Sequence, residues 1–444
     1  MTNDSRDAVP DSRVTVPASA ETPARGLGAA LTAVVVVAVG LTAFNLRPAV
    51  TSVGPLLAEV RAGLGMSGAV AGLLTAFPAL CFVAFGTLAP RLLRRLRPAT
   101  VLCLAAVAIA AGLALRPYVG GGTASFVALS ALALGAIGIA NVVMPVVVKR
   151  YFPHRIGTMT GFYSMALTIG ASVAAAGTVP IANASGGQWQ VGLAFWALPA
   201  LLAALAWAPL LRHDRRRGAE VRRTRTGVEA GDGSVDAAAV AAGAEPVAAG
   251  TGLRVHRSRT AWTLAIFFGL QSSGAYIVMG WLPQIFRDAG FSAETAGLLL
   301  AVIPAVGIPL SFLLPSLAGR MRSQGGVVIA LSAVGLVAYA GLGLAPSAAP
   351  WLWVVLLGAS QSTFPLALTM IGLRARTPAG VVKLSTFAQG VGYLLSVAAP
   401  LVVGVLYEHT GGWTIPIALM SALLIPQAIA GYLAGRPRWI EDEV

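Results

Sequence analysis

Charged residues make up only 11% of this 444-residue chain, against roughly 25% in a soluble globular domain. That deficit excludes an ordinary soluble enzyme, and the 57% hydrophobic content excludes a disordered chain. Acids are scarcer still, with 17 Asp and Glu against 31 Lys and Arg. Residues 1–26 and 212–259 hold 23 of the 48 charges, and the basic excess behind the net charge of +14 falls in stretches beside apolar runs, which does not mark a nucleic-acid-binding surface, so no nucleic-acid partner is expected. The two cysteines, Cys81 and Cys103, fall inside apolar runs, and the four histidines (His154, His213, His256 and His409) lie in loops or near segment ends. Neither a disulfide framework nor a metal-ligand cluster is readable, so no metal and no cofactor are expected. A polytopic membrane enzyme, such as an acyl- or glycosyltransferase, needs paired acids, a His/Asp set or a metal cluster at one membrane face. None is visible, so no catalytic residue is assigned and the chain is read as a non-enzyme.

What is present is length of apolar sequence. Crossing about 30 Å of hydrocarbon takes roughly 20 residues of helix. Twelve stretches qualify, at 27–57, 68–90, 99–115, 124–148, 157–182, 190–211, 261–286, 295–318, 327–345, 350–373, 381–406 and 414–435. They lack period-2 alternation and are too long for barrel strands, so they predict an all-α membrane protein of twelve transmembrane helices. With the N-terminus inside, the inner segments hold 27 Lys and Arg and the outer loops three: Arg61, Arg116 and Arg287. This positive-inside bias predicts a multi-pass protein of the plasma (inner) membrane with both termini cytoplasmic, in contact with membrane lipids. Residues 1–26 are polar and residues 212–259 pass from Arg-rich into Ala/Gly/Asp sequence. They read as a disordered cytoplasmic tail and linker. The linker divides the chain into six-helix bundles at 27–211 and 260–435, followed by a cytoplasmic tail at 436–444.

The two halves resemble each other. Gly54 through Arg61 aligns with Gly280 through Arg287, Ala71–Leu74 with Ala296–Leu299, and Leu88–Arg91 with Leu317–Arg320. Gly138, Asn141 and Pro145 match Gly358, Gln361 and Pro365 at a constant offset of 220. With six spans per half, the copies share one orientation. Parallel six-span repeats around a central site are the major facilitator architecture.

Several motifs then point to one branch of that superfamily. Asn45-Leu46-Arg47-Pro48 leads into Thr51-Ser52-Val53-Gly54-Pro55, Phe268-Gly269-Leu270-Gln271-Ser272 precedes Trp281-Leu282-Pro283, and Gln389 precedes Gly392-Tyr393. With Lys149-Arg150-Tyr151-Phe152-Pro153, they resemble the cyanate and nitroimidazole transporter family over residues 30 to 435, linker excluded. The resemblance implies transport of cyanate-like or nitroimidazole compounds; a carboxylate is a further candidate from the chemistry of Arg47. One position departs from the superfamily's Gly-x-Leu-Ala-Asp-Arg loop: Gly86-Thr87-Leu88-Ala89-Pro90-Arg91 has Pro90 where the acid stands. A gate resting on that carboxylate must be built differently here.

Arg47 is the one basic residue well within a predicted span, ten residues before Leu57 and so about 15 Å from the outer end. No acid lies at that depth, which makes a negatively charged or polar planar cargo the natural counter-charge of its planar fork. The alternative is that Arg47 binds helix-end carbonyls or gates the outer vestibule. Asn45 shares the cavity only if Pro48 breaks the helix. The remaining substrate-binding candidates are Asn141, Tyr163, Gln271, Tyr276, Gln361, Gln389 and Tyr393; Gln389, Tyr393, Ser396 and Pro400 form one helical face. Glu59 and Glu408, near the outer ends, are the candidates for proton coupling, with exchange and facilitated diffusion as alternatives. Transport of a small solute by a monomer is the expectation, and drug efflux by the same fold is the alternative.

Overall fold

The computed structural model describes residues 29–86, 88–152, 155–211 and 254–443. The tail at 1–26 and the linker at 212–253 lie outside the described residues. The described residues are helical with no strand, in twelve helices long and apolar enough to span a membrane. They are α1 (Ala30–Leu64), α2 (Gly68–Arg95), α3 (Pro98–Leu115), α4 (Thr123–Tyr151), α5 (Thr158–Ala184) and α6 (Trp189–Leu211), then α7 (Arg259–Asp288), α8 (Ala293–Arg320), α9 (Gly325–Leu344), α10 (Pro350–Leu373), α11 (Gly380–Thr410) and α12 (Thr414–Ala434).

The largest departure from the expected boundaries is α1, which runs to Leu64 instead of ending near residue 57. Its first helical piece ends at Asn45, and Pro48 starts a four-residue piece, Pro48–Thr51. A 3-10 turn at Gly54–Leu56 follows, and Leu57–Leu64 is helical again. Prolines at 48 and 55 cannot donate to the preceding turn, so the rod is jointed there but not ended. Gly65, at φ 62°, stops it in the left-handed conformation that glycine adopts without strain. Helices α10 and α11 are also interrupted, at Ser362 and at Ser396–Val397.

The internal repeat is visible in the packing. In the first half α1 packs on α5, α2 on α4 and α3 on α4; in the second half α7 packs on α11, α8 on α10 and α9 on α10. Between halves, α2 lies against α11 and α5 against α8.

One end of the bundle carries the turn at Gly65–Ser67 (the first-loop end), and the opposite end carries residues 211 and 254 (the linker end). One hydrophobic core runs through both halves at the first-loop end, joining Leu56, Val60 and Leu74 to Ile277, Trp281 and Val403. The other two large cores belong essentially to one half each. Glycine permits the close approach at the sealed end: a Cβ built on Gly72 would stand 2.8 Å from the Pro400 carbonyl oxygen, and one on Gly68 2.9 Å from that of Gly404.

At the linker end, part of the expected linker and the expected tail are folded. Val255–Arg257 forms a 3-10 turn with Val255 buried. Ile440–Asp442 forms another, with Ile440 fully buried and its N–H donated to the Arg374 carbonyl at 3.0 Å.

Candidate functional site

The break in α1 falls at mid-length of the helix and places Arg47 at the N-cap of the short Pro48–Thr51 piece. Every residue from Pro48 to Leu57 is buried, whereas Arg47 keeps part of its surface. Among the described residues no carboxylate pairs with its guanidinium. The charge acts electrostatically on the hydroxyls of Tyr276 from α7 and Tyr393 from α11. Three of the candidates read from sequence thus converge from three helices and both halves.

Aromatic faces surround this point. The Tyr393 ring meets Phe268 edge-on at 5.0 Å and Phe82 of α2 at 6.3 Å, and Phe268 lies 5.6 Å from Phe364 of α10. Phe82 and Phe364 were not singled out from sequence, and Phe268 entered only within a motif, because an aromatic in an apolar run carries no mark separating cavity wall from core; Phe268 is fully buried.

The other candidates are distributed differently. Gln271 is 2% exposed and its Nε2 donates to both the backbone and side-chain oxygens of Gln361 at 3.4 Å, leaving its own Oε1 unpartnered. Asn141, the counterpart of Gln361, is exposed on α4, and Tyr163 is half-buried on α5. The proposed break is real, yet Asn45 is 1% exposed: its amide donates to the Leu41 carbonyl at 2.7 Å and its Oδ1 has no partner. The face proposed on α11 divides. Gln389 donates to Ser385 one turn earlier at 2.6 Å. Ser396 is buried at the interruption with its hydroxyl on the Tyr393 carbonyl, and Pro400 is buried against Gly72 of α2.

Glu59 and Glu408 lie at the sealed end and bridge the halves. Arg287 of α7 meets Glu59 of α1 at 2.8 Å and donates to the Pro55 carbonyl at 3.5 Å. Glu408 of α11 accepts the Gly68 N–H at the start of α2, at 2.8 Å.

Arg116, assigned to an outer loop by sequence, is 2% exposed. Arg47 is thus not the only guanidinium within the protein body. The sequence signal was only its place at the end of the short α3; with Pro117 following, it reads as a loop.

Two like halves of six membrane-length helices, fused at one end and meeting around an unpaired cation at mid-depth, define a secondary transporter. The chain belongs to the Major Facilitator Superfamily, whose sequence profile matches residues 32–397. It is 37% identical over 401 residues to an uncharacterized transporter, YycB, of Bacillus subtilis (strain 168), covering 90% of this chain and 92% of that one. It is 31% identical over 416 residues to the 2-nitroimidazole transporter of Escherichia coli (strain K12), covering 92% and 96%. The cyanate transport protein CynX of the same organism is 31% identical over 394 residues, covering 88% and 94%. Among solved structures, a bacterial homolog of the human lysosomal transporter Spinster in an inward-facing, unoccupied conformation superposes with TM-score 0.69 at 15% identity, covering 94% of this chain and 99% of that one. The nucleoside transporter NupG superposes with TM-score 0.68 at 13% identity, covering 91% and 98%. These last two share the fold. The protein is a multi-pass membrane transporter and not an enzyme.

Proposed function

We propose that this transporter carries a small planar anion with a conjugated body, bound at Arg47 by alternating access. The observation that carries the reading is the guanidinium at mid-depth without a protein counter-charge. A charge held there is costly unless a partner or water meets it, and a planar fork suits a carboxylate, a cyanate or a nitro-substituted azolate. Tyr276 and Tyr393 supply hydroxyls for the anion's oxygens. Phe82 and Tyr393, both partly exposed, supply faces on which a flat body stacks, and the buried Phe268 holds the Tyr393 ring from behind. The names of the relatives, one for 2-nitroimidazole and one for cyanate, support the same class of cargo.

The 27 inner against three outer basic residues support a plasma-membrane orientation with the linker end cytoplasmic. In that orientation the sealed first-loop end is extracellular and Arg47 is reached from the cytoplasm. Glu59 and Glu408 then serve as latches of the outer gate, lying away from the cargo path. Coupling through a buried acid at the cargo site is not part of this reading.

The test is uptake of radiolabelled cyanate, 2-nitroimidazole and 4-hydroxybenzoate by proteoliposomes. Arg47→Ala is expected to reduce kcat/KM by about 100-fold or more, with Arg47→Lys intermediate because a point charge replaces the fork. Equal uptake by wild type and Arg47→Ala would remove Arg47 from the site.

A further inference from the structure

The break that presents Arg47 leaves a carbonyl without its helical donor. Val50 and Thr51 both donate their N–H groups to the Arg47 carbonyl, at 2.9 and 3.1 Å, and the Thr51 hydroxyl joins them at 3.2 Å. Ser52 donates to Pro48 in the normal helical register. The ladder then tightens: Val53 donates to Val50 at 3.3 Å, one residue short of the Ala49 oxygen that a continuing α-helix would use. The Ala49 oxygen, buried at membrane depth, needs a donor from elsewhere.

Arg116 supplies it. From the end of α3 its Nη1 donates to the Ala49 oxygen at 3.2 Å, and its Nη2 reaches the Ser52 hydroxyl at 3.5 Å. The guanidinium carbon sits 5.5 Å from the Phe126 ring centroid, and Nε has no partner. Among the described residues no carboxylate pairs with it, so its charge is spent on backbone and hydroxyl dipoles. On the side facing the second half, Arg116 and Ala49 line a small cavity of about 20 Å³ shared with Tyr276, Met279 and Gly280 of α7. Such a space admits a single water molecule.

We infer that Arg116 is the positioning residue for Arg47: by fastening the Pro48–Ser52 piece to α3, it fixes where the cargo-binding guanidinium is presented. The piece is a single turn hung from the Arg47 carbonyl and too short to hold itself. Its fork-shaped fastening at Ala49 and Ser52 is what sets the direction of the Arg47 side chain. The inference rests on the reading of Arg47 as the anion contact.

The test uses the full-length transporter in proteoliposomes with cyanate and 4-hydroxybenzoate as probes. Ligand-free melting is followed in parallel. Arg116→Lys keeps the charge and the contact with Ala49 but loses the fork. It is expected to raise the probe KM about tenfold, with kcat and ligand-free melting close to wild type. Ser52→Ala is expected to raise KM about two- to threefold. An unchanged KM in Arg116→Lys overturns the inference, as does a KM rise matched by equal losses in kcat and melting temperature, which marks simple fold damage. Should Arg116→Lys fail to fold, Ser52→Ala decides, and a wild-type KM there overturns it. Arg47→Ala in the same assay separates the two readings. If it transports normally, the anion assignment fails. If it loses transport while Arg116→Lys keeps a wild-type KM, only the positioning role fails.

Discussion

At the level of single residues, Tyr393 shows how the proposed site would divide its tasks. Its ring packs edge-on against Phe268 and Phe82, while its hydroxyl lies in the field of Arg47. Tyr393→Phe removes the second role and keeps the first. It is expected to raise KM for a carboxylate probe about fivefold, the worth of about 1 kcal/mol of hydrogen bonding, with the melting temperature unchanged; uptake kinetics and a thermal scan check both halves of that expectation. Arg47 was legible in the sequence because a charge in an apolar run has few explanations. Arg116 was not, since a basic residue before a proline at the end of a short span also describes a loop. Its burial is set by the unfilled Ala49 carbonyl on another helix, and no local pattern records that.

At the level of elements, the interrupted helices and the last residues of the chain carry the lesson. The Pro48 break could be read from sequence, but the resumption of α1 to Leu64 could not, because the Glu59 and Arg61 charges mimic a loop. The final segment resembled a polar tail. Instead Glu441 accepts the N–H groups of Arg376 and Thr377 and the Thr377 hydroxyl, capping α11. Glu443 accepts the Ser258 and Thr260 hydroxyls and the Thr260 N–H, capping α7. An Arg376–Asp442 ion pair at 2.9 Å and the Arg376 guanidinium 4.5 Å from the Trp439 ring complete the strap. Burial alone would raise both glutamates, but the hydrogen bonds outweigh it and hold both below the ordinary 4.5. A carboxyl depressed on folding stabilises above its unfolded value and loses that contribution as pH falls through its folded value. The melting temperature is therefore expected to fall when pH drops below about 4.5, and less so in a Glu441→Gln/Glu443→Gln double variant, whose melting at pH 7 is already lower. Scanning fluorimetry across pH 3 to 7 measures this.

At the level of the whole molecule, the two-fold repeat was legible because polar and proline positions recur at steady offsets. Which end the halves close upon was not, since both ends offer glycines and apolar surface. The structure closes the first-loop end, and packing outweighs charge there. The Arg287–Glu59 pair retains 23% and 31% side-chain exposure respectively, so it contributes on the order of 0.2–1 kcal/mol. The seam between α2 and α11 admits no side chain at Gly72, where a Cβ would also lie 2.9 Å from the Leu401 Cα. Gly72→Val is expected to hold this end apart. Spin labels at Ala62 and His409, both exposed at that end, placed in a background with Cys81 and Cys103 replaced by Ser, should report a longer mean distance in Gly72→Val than with Gly72 intact. An unchanged distance distribution would show that the seam yields elsewhere.

The proposed role of Arg47 has an electrical consequence. A monovalent anion seated on Arg47 would cancel that charge, so the loaded carrier's reorientation would owe nothing to it. Empty, the carrier would leave the Arg47 charge uncompensated with its exposure alternating between compartments, so the return stroke would feel the transmembrane field, where a full charge transfer corresponds to about 2.3 kcal/mol per 100 mV. An inside-negative potential therefore favours the vacant carrier waiting on the cytoplasmic side and slows net one-way flux, while swapping one anion for another escapes that penalty.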